Sequence, residues 1–129
     1  LGNKRIRNSY AYQQLLIQNG MIALGTDFPI EKINPIHTFY AAVARKNING
    51  EPKNGFQKEN ALTRWEAIQG MTIWAALSNF EENEKGTIEI GKKADLILLN
   101  QNLFSIPENE ILNTKVISTY INGEQVYHN

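Results

Sequence analysis

Three side chains in this sequence combine reactive chemistry with a suggestive setting: Asp27, His37 and Arg45. Asp27 lies in the run Ala23-Leu24-Gly25-Thr26-Asp27-Phe28-Pro29-Ile30, where an apolar stretch from Met21 to Leu24 gives way to a small-residue turn followed by a proline. A carboxylate just past a buried strand is how a barrel presents an acid at the C-terminal mouth of that strand. There it can bind a metal ion or take a proton from metal-bound water. A loop aspartate that caps a helix or stabilises a turn has the same spacing, so spacing alone leaves both readings open. His37 follows near the start of the next helix, where it either lines the mouth of the site and touches substrate or is an ordinary helix-terminus histidine. Arg45 either grips a substrate carboxylate through its bidentate fork or pairs with an acid at the helix C-terminus, where its charge suits the dipole.

The elements that must position these residues are legible from local pattern. Tyr12, Leu15 and Leu16 fall at helical spacing within residues 8–18, and Asn19-Gly20 is a C-terminal stop. The short apolar run from Met21 to Gly25 is that of a fully buried parallel strand. Helix, glycine and buried strand in that order form the α-to-β step of an α/β barrel. Asn34 caps a helix whose first residue is Pro35, and Ile36, Phe39, Tyr40 and Val43 give it one apolar face to about Arg45. Residues 47–60 are polar and hold Gly50, Pro52 and Gly55, so they form a loop. Thr63 and Glu66 make a capping box for a helix that breaks near Gly70 to Thr72 and resumes to about Phe80. From Gly86 the pattern turns to β: a strand from Ala94 to Leu99, then 116–121 and 124–127 flanking the type I′ hairpin signal Asn122-Gly123.

Composition narrows the function classes. Thirteen acidic residues balance thirteen basic ones, which leaves no electrostatic footprint for nucleic acid or an anionic membrane. The absence of cysteine excludes disulfides and thiolate metal sites and is compatible with a cytoplasmic location. No apolar stretch approaches a membrane span. Apolar residues make up 42% of the chain, enough for a core. The length of 129 residues fits one ordinary domain, whereas a closed α/β barrel takes about 250 residues. With Leu1 rather than Met at its start, the chain is expected to be part of a longer protein.

An ordered set of motifs resembles the C-terminal end of the YtcJ-like amidohydrolases. Gly25-Thr26-Asp27-Phe28-Pro29-Ile30, Asn34-Pro35 and Tyr40-Ala41-Ala42-Val43-Ala44-Arg45 are similar to that family's eighth strand and following helix. Leu62-Thr63, Glu66-Ala67, Thr72, Ala75-Ala76, Gly86, Gly91-Lys92, Ala94-Asp95-Leu96, residues 116–120, Gly123 and Val126-Tyr127 continue the similarity across nearly the whole chain. The resemblance implies an α/β fold: residues 1–85 as the last strand–helix portion of a (β/α)8 TIM barrel, and 86–129 as the C-terminal strands of a small β-sandwich built from both chain ends. It implies metal-assisted hydrolysis of amide-type C–N bonds in a small-molecule substrate. Asp27 would be the strand-eight aspartate, both metal ligand and proton shuttle, with Arg45 and His37 as candidate substrate-binding residues.

The family's other ligands are missing from this sequence. A His-x-His pair, a middle-strand carboxylate or modified lysine and two further histidines are expected, yet only His37 and His128 occur. A divalent metal, zinc by expectation, takes three or four protein ligands, so it belongs to the whole protein and none is expected on this segment, which alone is expected to be inactive. A non-catalytic structural or interaction module left by truncation is the alternative. Either way, an unpartnered barrel strand and half a sandwich expose edges and apolar faces, and a homo-oligomer is the expected assembly. Asp95, at the entry to its strand, is expected to satisfy loop amides rather than to act in catalysis.

Overall fold

The computed structural model describes residues 2–129. Among them, the helices α1 (Asn3–Ile6), α2 (Tyr12–Asn19), α3 (Pro35–Ala44), α4 (Arg64–Met71) and α5 (Ile73–Ser78) precede the strands β1 (Leu96–Leu99), β2 (Val116–Ile121) and β3 (Glu124–His128). Two 3-10 turns, Lys58–Asn60 and Glu108–Asn113, lie in the connections. The result is a small α/β unit with helices first and an antiparallel sheet last. No helix among the described residues is long and apolar enough to cross a membrane.

α2 begins at Tyr12 rather than at residue 8 because Tyr10 sits at φ 56°, a left-handed conformation that a helix cannot contain. Gly20 ends it at φ 75°, its N–H bonded to the Leu16 carbonyl at 2.8 Å. Beyond Gly20 residues 21–26 form neither helix nor strand, and the anticipated parallel strand from Met21 to Gly25 joins no sheet among the described residues. A strand exists only through its ladder, and the neighbouring strands of a parallel sheet are not among these elements. The segment lies instead against α4, where the Leu24 N–H donates to the Gly70 carbonyl at 2.9 Å. A Cβ at Gly70 would stand 2.8 Å from Leu24 Cγ and 2.9 Å from the Ile22 carbonyl oxygen. Gly70→Val is therefore expected to lower stability by about 2 kcal/mol through overpacking, although valine is the better helix former. Urea unfolding checks this, and an unchanged midpoint would mean that the close approach is not maintained in solution.

The capping expectations hold at both following helices. Asn34 Oδ1 accepts the Ile36 N–H at 3.0 Å, with Pro35 in the first turn of α3. Thr63 Oγ1 accepts the Glu66 N–H at 3.2 Å, while the Glu66 carboxylate accepts the Thr63 N–H at 2.7 Å. The helix then breaks at Thr72 (φ −127°, ψ −95°) and restarts as α5. The break suits the Thr72 hydroxyl, which donates back to the Ile68 carbonyl at 2.7 Å, a bond that tends to bend helices.

β1, β2 and β3 form an antiparallel meander in that spatial order, with Ile97 opposite Thr119 and Ser118 opposite His128. Asn122 and Gly123 both have positive φ, 50° and 84°, as a type I′ turn requires. Asp95 Oδ1 accepts the Asn122 N–H at 2.7 Å and ties the hairpin to the entry of β1. β1 is only half covered: Leu99 packs against the core, whereas Ile97 and Leu98 are 49% and 55% exposed. Residues 86–93 contain no strand, and Ile88 and Ile90 stand in solvent.

The core crosses the helix-to-strand transition near residue 86. Phe39, Tyr40 and Ile36 of α3 pack with Leu16, Leu62 and Ala67, and with Leu103 and Ile111 from the long β1–β2 connection. Phe39 and Ile111 are the largest fully buried side chains. Glu108 reinforces this junction, accepting from Lys46 Nζ at 2.8 Å and from Lys58 Nζ at 3.1 Å. The Lys58 ammonium also caps the α3 carbonyls of Val43 and Ala44 at 3.0 and 3.2 Å. Burial pushes the Glu108 carboxyl up, but the hydrogen bonds from Lys46 and Lys58 outweigh it and hold the group below the ordinary glutamate range. A depressed folded-state pKa stabilises above the unfolded value and loses that contribution as pH falls through the folded one. Glu108→Gln is thus expected to cost about 1 kcal/mol at pH 7 and less at pH 3. Equal losses at both pH values would contradict the ion-pair account.

Candidate active site

Asp27 opens the turn Asp27–Ile30 at the end of segment 21–26. Its backbone is left-handed, at φ 52°, a conformation that aspartate tolerates better than bulkier residues. Its carbonyl accepts the Ile30 N–H at 2.8 Å and closes the turn. The carboxylate is solvent-exposed and has no hydrogen bond or ion pair among the described residues. It does not cap α3, since Asn34 does that. Turn geometry thus presents the acid without consuming it.

Next to this turn lies a cavity of about 390 Å³, a size suited to a small organic molecule. Gly25, Thr26, Glu31 and Lys32, from either side of Asp27, form one wall. His37, Thr38 and Tyr40 of α3 form another, and Tyr12 and Leu24 contribute apolar surface. His37 is half-buried, and its Nδ1 is shielded from solvent with no hydrogen-bond partner. A buried polar atom without a partner is uncommon and calls for an explanation. The sequence reading singled out His37 but missed Tyr40 and Tyr12 as cavity residues. The His-x-x-Tyr spacing of 37 and 40, which puts both on one helix face, was the available signal.

Arg45 lies elsewhere. It is the C-cap of α3 at φ 57°, only 7% exposed. Its Nε donates to the Phe56 carbonyl at 3.0 Å and its Nη2 to the Tyr10 carbonyl at 2.9 Å. The guanidinium carbon stands 5.1 Å from the centre of the Tyr12 ring and 5.7 Å from that of Phe56, within cation–π range. Burial lowers its pKa, opposed by Tyr12 and Glu59. Neither a carboxylate partner nor the cavity accounts for its position: it joins three chain segments. His128, at the sheet edge, stands with Nδ1 3.0 Å from the Ser118 hydroxyl and closes the hairpin.

The donor set does not fit a metal by itself. No group of three or more His, Asp or Glu side chains among the described residues could hold one, and a single exposed carboxylate falls short of the three or four ligands a zinc site needs.

The chain belongs to the Amidohydrolase family (Amidohydro_3), whose model matches residues 1–127, and it is a YtcJ-like member of the amidohydrolase superfamily. It is 32% identical over 128 residues to Protein LONG AFTER FAR-RED 3 of Arabidopsis thaliana, which covers 98% of this chain and 21% of that protein. It is 29% identical to the putative amidohydrolase YtcJ of Bacillus subtilis, covering 98% of this chain and 24% of the relative. Against the N-substituted formamide deformylase of Arthrobacter pascens it is 30% identical over 79% of this chain and 18% of the relative. A crystal structure of an amidohydrolase from Thermotoga maritima superposes with a TM-score of 0.62 over 93% of this chain and 26% of that one, at 22% identity, which shows a shared fold. The chain spans about a fifth to a quarter of the length of these proteins.

Proposed function

We propose that this chain is the portion of an amidohydrolase that carries the strand-eight aspartate, and that the whole protein hydrolyses a non-peptide C–N bond in a small molecule. The observation that carries the reading is the exposed, unpartnered Asp27 carboxylate at the end of segment 21–26, in a chain of this family. In this reading residues 21–25 are the last strand of a (β/α)8 barrel, α3 is the helix that follows it, and residues 86–129 are the C-terminal part of a small β-sandwich. That 21–25 pairs with no strand among the described residues fits this assignment, since a barrel strand draws its ladder bonds from neighbours on both sides.

Members of the family generally use divalent metals. Asp27 would supply one ligand, and the remaining ligands would come from residues outside this sequence; such a metal, zinc by expectation, would supply an activated water. The part assigned to Asp27 is proton transfer. Its carboxylate accepts a proton from the attacking water and returns it to the leaving nitrogen, which must be protonated to depart as a neutral amine. The deformylase relative is named for N-substituted formamides, and that class, with N-substituted acetamides, is the first to assay.

The test is amine release from N-substituted formamides and acetamides by the whole purified protein, before and after chelation and with Zn²⁺ restored. Turnover that chelation abolishes and metal restores is the expected result. A correctly folded whole protein that releases no amine from any substrate under any metal condition would remove the hydrolase reading and favour a non-catalytic module.

A further inference from the structure

Asparagine precedes glycine at four places, Asn19, Asn49, Asn54 and Asn122. An asparagine in that setting is prone to deamidation, because glycine has no side chain to keep its backbone nitrogen away from the asparagine Cγ. The attack requires that nitrogen to leave its hydrogen bond and the backbone to turn. In the fold all four nitrogens are engaged: Gly20 N–H on the Leu16 carbonyl at 2.8 Å, Gly50 on Asn47 at 2.9 Å, Gly55 on Pro52 at 2.8 Å and Gly123 on Ala94 at 3.1 Å. The surroundings of Asn54 set it apart. Its side chain is exposed and makes no hydrogen bond among the described residues, so its Cγ is free. Gly55, at φ 77°, stands flush against α3, where a Cβ would lie 2.8 Å from the Ala44 carbonyl oxygen and 3.4 Å from Arg45 Cβ. Phe56 follows, its N–H on the Arg45 carbonyl at 2.7 Å and its own carbonyl on Arg45 Nε at 3.0 Å. Every one of these contacts is made within this chain. Asn54 cannot turn onto the Gly55 nitrogen until residues 52–56 lift away from Arg45.

We propose that Asn54-Gly55 is a deamidation site gated by the Arg45 clasp on Phe56, and that its isoaspartyl product prevents the clasp from closing again. When the loop opens, the Gly55 nitrogen attacks Asn54 Cγ and forms a new C–N bond. The bond from Cγ to the side-chain nitrogen breaks, and that nitrogen takes up the proton lost from Gly55 and leaves as ammonia. Water then opens the five-membered imide. Opening at Cγ gives aspartate on an unaltered backbone. Opening at the Asn54 main-chain carbonyl gives isoaspartate, which routes the chain through the side chain and adds one methylene to the backbone. The space beside Gly55 has no room even for a Cβ, so a lengthened backbone cannot return Gly55 and Phe56 to Ala44 and Arg45 together. The inference does not depend on the hydrolase reading.

The test ages the whole protein in mildly alkaline buffer, folded and in urea, and follows the four Asn-Gly peptides by mass, with isoaspartate separated from aspartate by chromatography. In urea the four should react at similar rates. In the folded protein Asn54 should react more slowly by about tenfold or more, since only the locally opened loop is reactive. Arg45→Lys should speed the reaction at Asn54 and leave Asn122 unchanged. Phe56→Leu, which keeps the backbone bonds and loses the ring contact, should do the same to a smaller extent and decides the matter if Arg45→Lys does not fold. Protein carrying isoaspartate at position 54 should unfold at lower urea than fresh protein, and Asn54→Gln should age without that loss. Reaction at Asn54 as fast in the folded protein as in urea, or equal acceleration at all four positions in the variants, overturns the gate. Isoaspartate at position 54 with an unchanged unfolding midpoint overturns the effect on the clasp.

Discussion

Asp27→Asn in the whole protein is expected to lower kcat by about 10²- to 10⁴-fold, the usual worth of a positioned acid–base group. The substitution changes no volume. A carboxamide cannot accept a proton from water and pass it to a leaving nitrogen, and as a neutral ligand it binds a metal more weakly than a carboxylate. The fold should be indifferent, because the Asp27 side chain is exposed and unpartnered among the described residues. Surface substitutions of that kind usually move stability by no more than about 0.5 kcal/mol. Asparagine also tolerates the left-handed backbone that the turn imposes at φ 52°. The measurement is kcat, KM and metal content beside thermal unfolding. Loss of turnover with unchanged unfolding supports the assignment. Activity retained within a few-fold would make Asp27 a turn residue and nothing more.

Arg45→Ala is expected to destabilise the fold by about 3 kcal/mol. Two charge-assisted hydrogen bonds to backbone carbonyls are lost, each worth about 1.5–3 kcal/mol where its partner is left buried, together with two aromatic contacts of about 0.5–1 kcal/mol each. Relaxation of the loop carbonyls toward water recovers part of the sum. Arg45→Lys should recover little, since an ammonium cannot reach the Tyr10 and Phe56 carbonyls together while lying across both rings. Urea unfolding of the two variants measures this directly. If Arg45 instead bound a substrate carboxylate, Arg45→Ala would leave the unfolding midpoint in place and raise KM, so the two roles separate cleanly. Tyr12 also lines the cavity, so looser packing around Arg45 should reach the site through that ring.

The contrast between Asp27 and Arg45 marks where sequence reasoning ran out. Both residues lie in the motifs that identify the family, and from sequence both were candidates for the site, Asp27 as metal ligand and proton shuttle and Arg45 for a substrate carboxylate. Whether a side chain at a helix terminus faces a cavity or the interior depends on which loop returns over it. Here the 47–57 loop returns, bringing Phe56 onto the Arg45 side chain, with the Phe56 N–H on the Arg45 carbonyl at 2.7 Å. No local pattern in residues 47–60 announces that return. The strand at 21–25 illustrates a related limit. Its apolar run predicts a buried parallel strand, but a ladder is a property of two segments and cannot be read from one, and no strand forms there among the described residues.

What the sequence determined by itself was everything with a short-range cause. Gly20 ends α2, Asn34 and Pro35 open α3, Thr63 and Glu66 box α4, and Asn122-Gly123 turns the hairpin, because each act needs only atoms within a few residues. The order of its motifs likewise determined the family. The tertiary structure alone decided which residues share a core and a cavity. Ile111, 72 positions from Phe39, fills the space beside it. Glu108 finds Lys46 and Lys58, and His37, Tyr40 and Thr26 converge beside Asp27. Those meetings depend on packing between segments distant in sequence, where burial and charge pairing between particular side chains choose the partner and local propensity has no say.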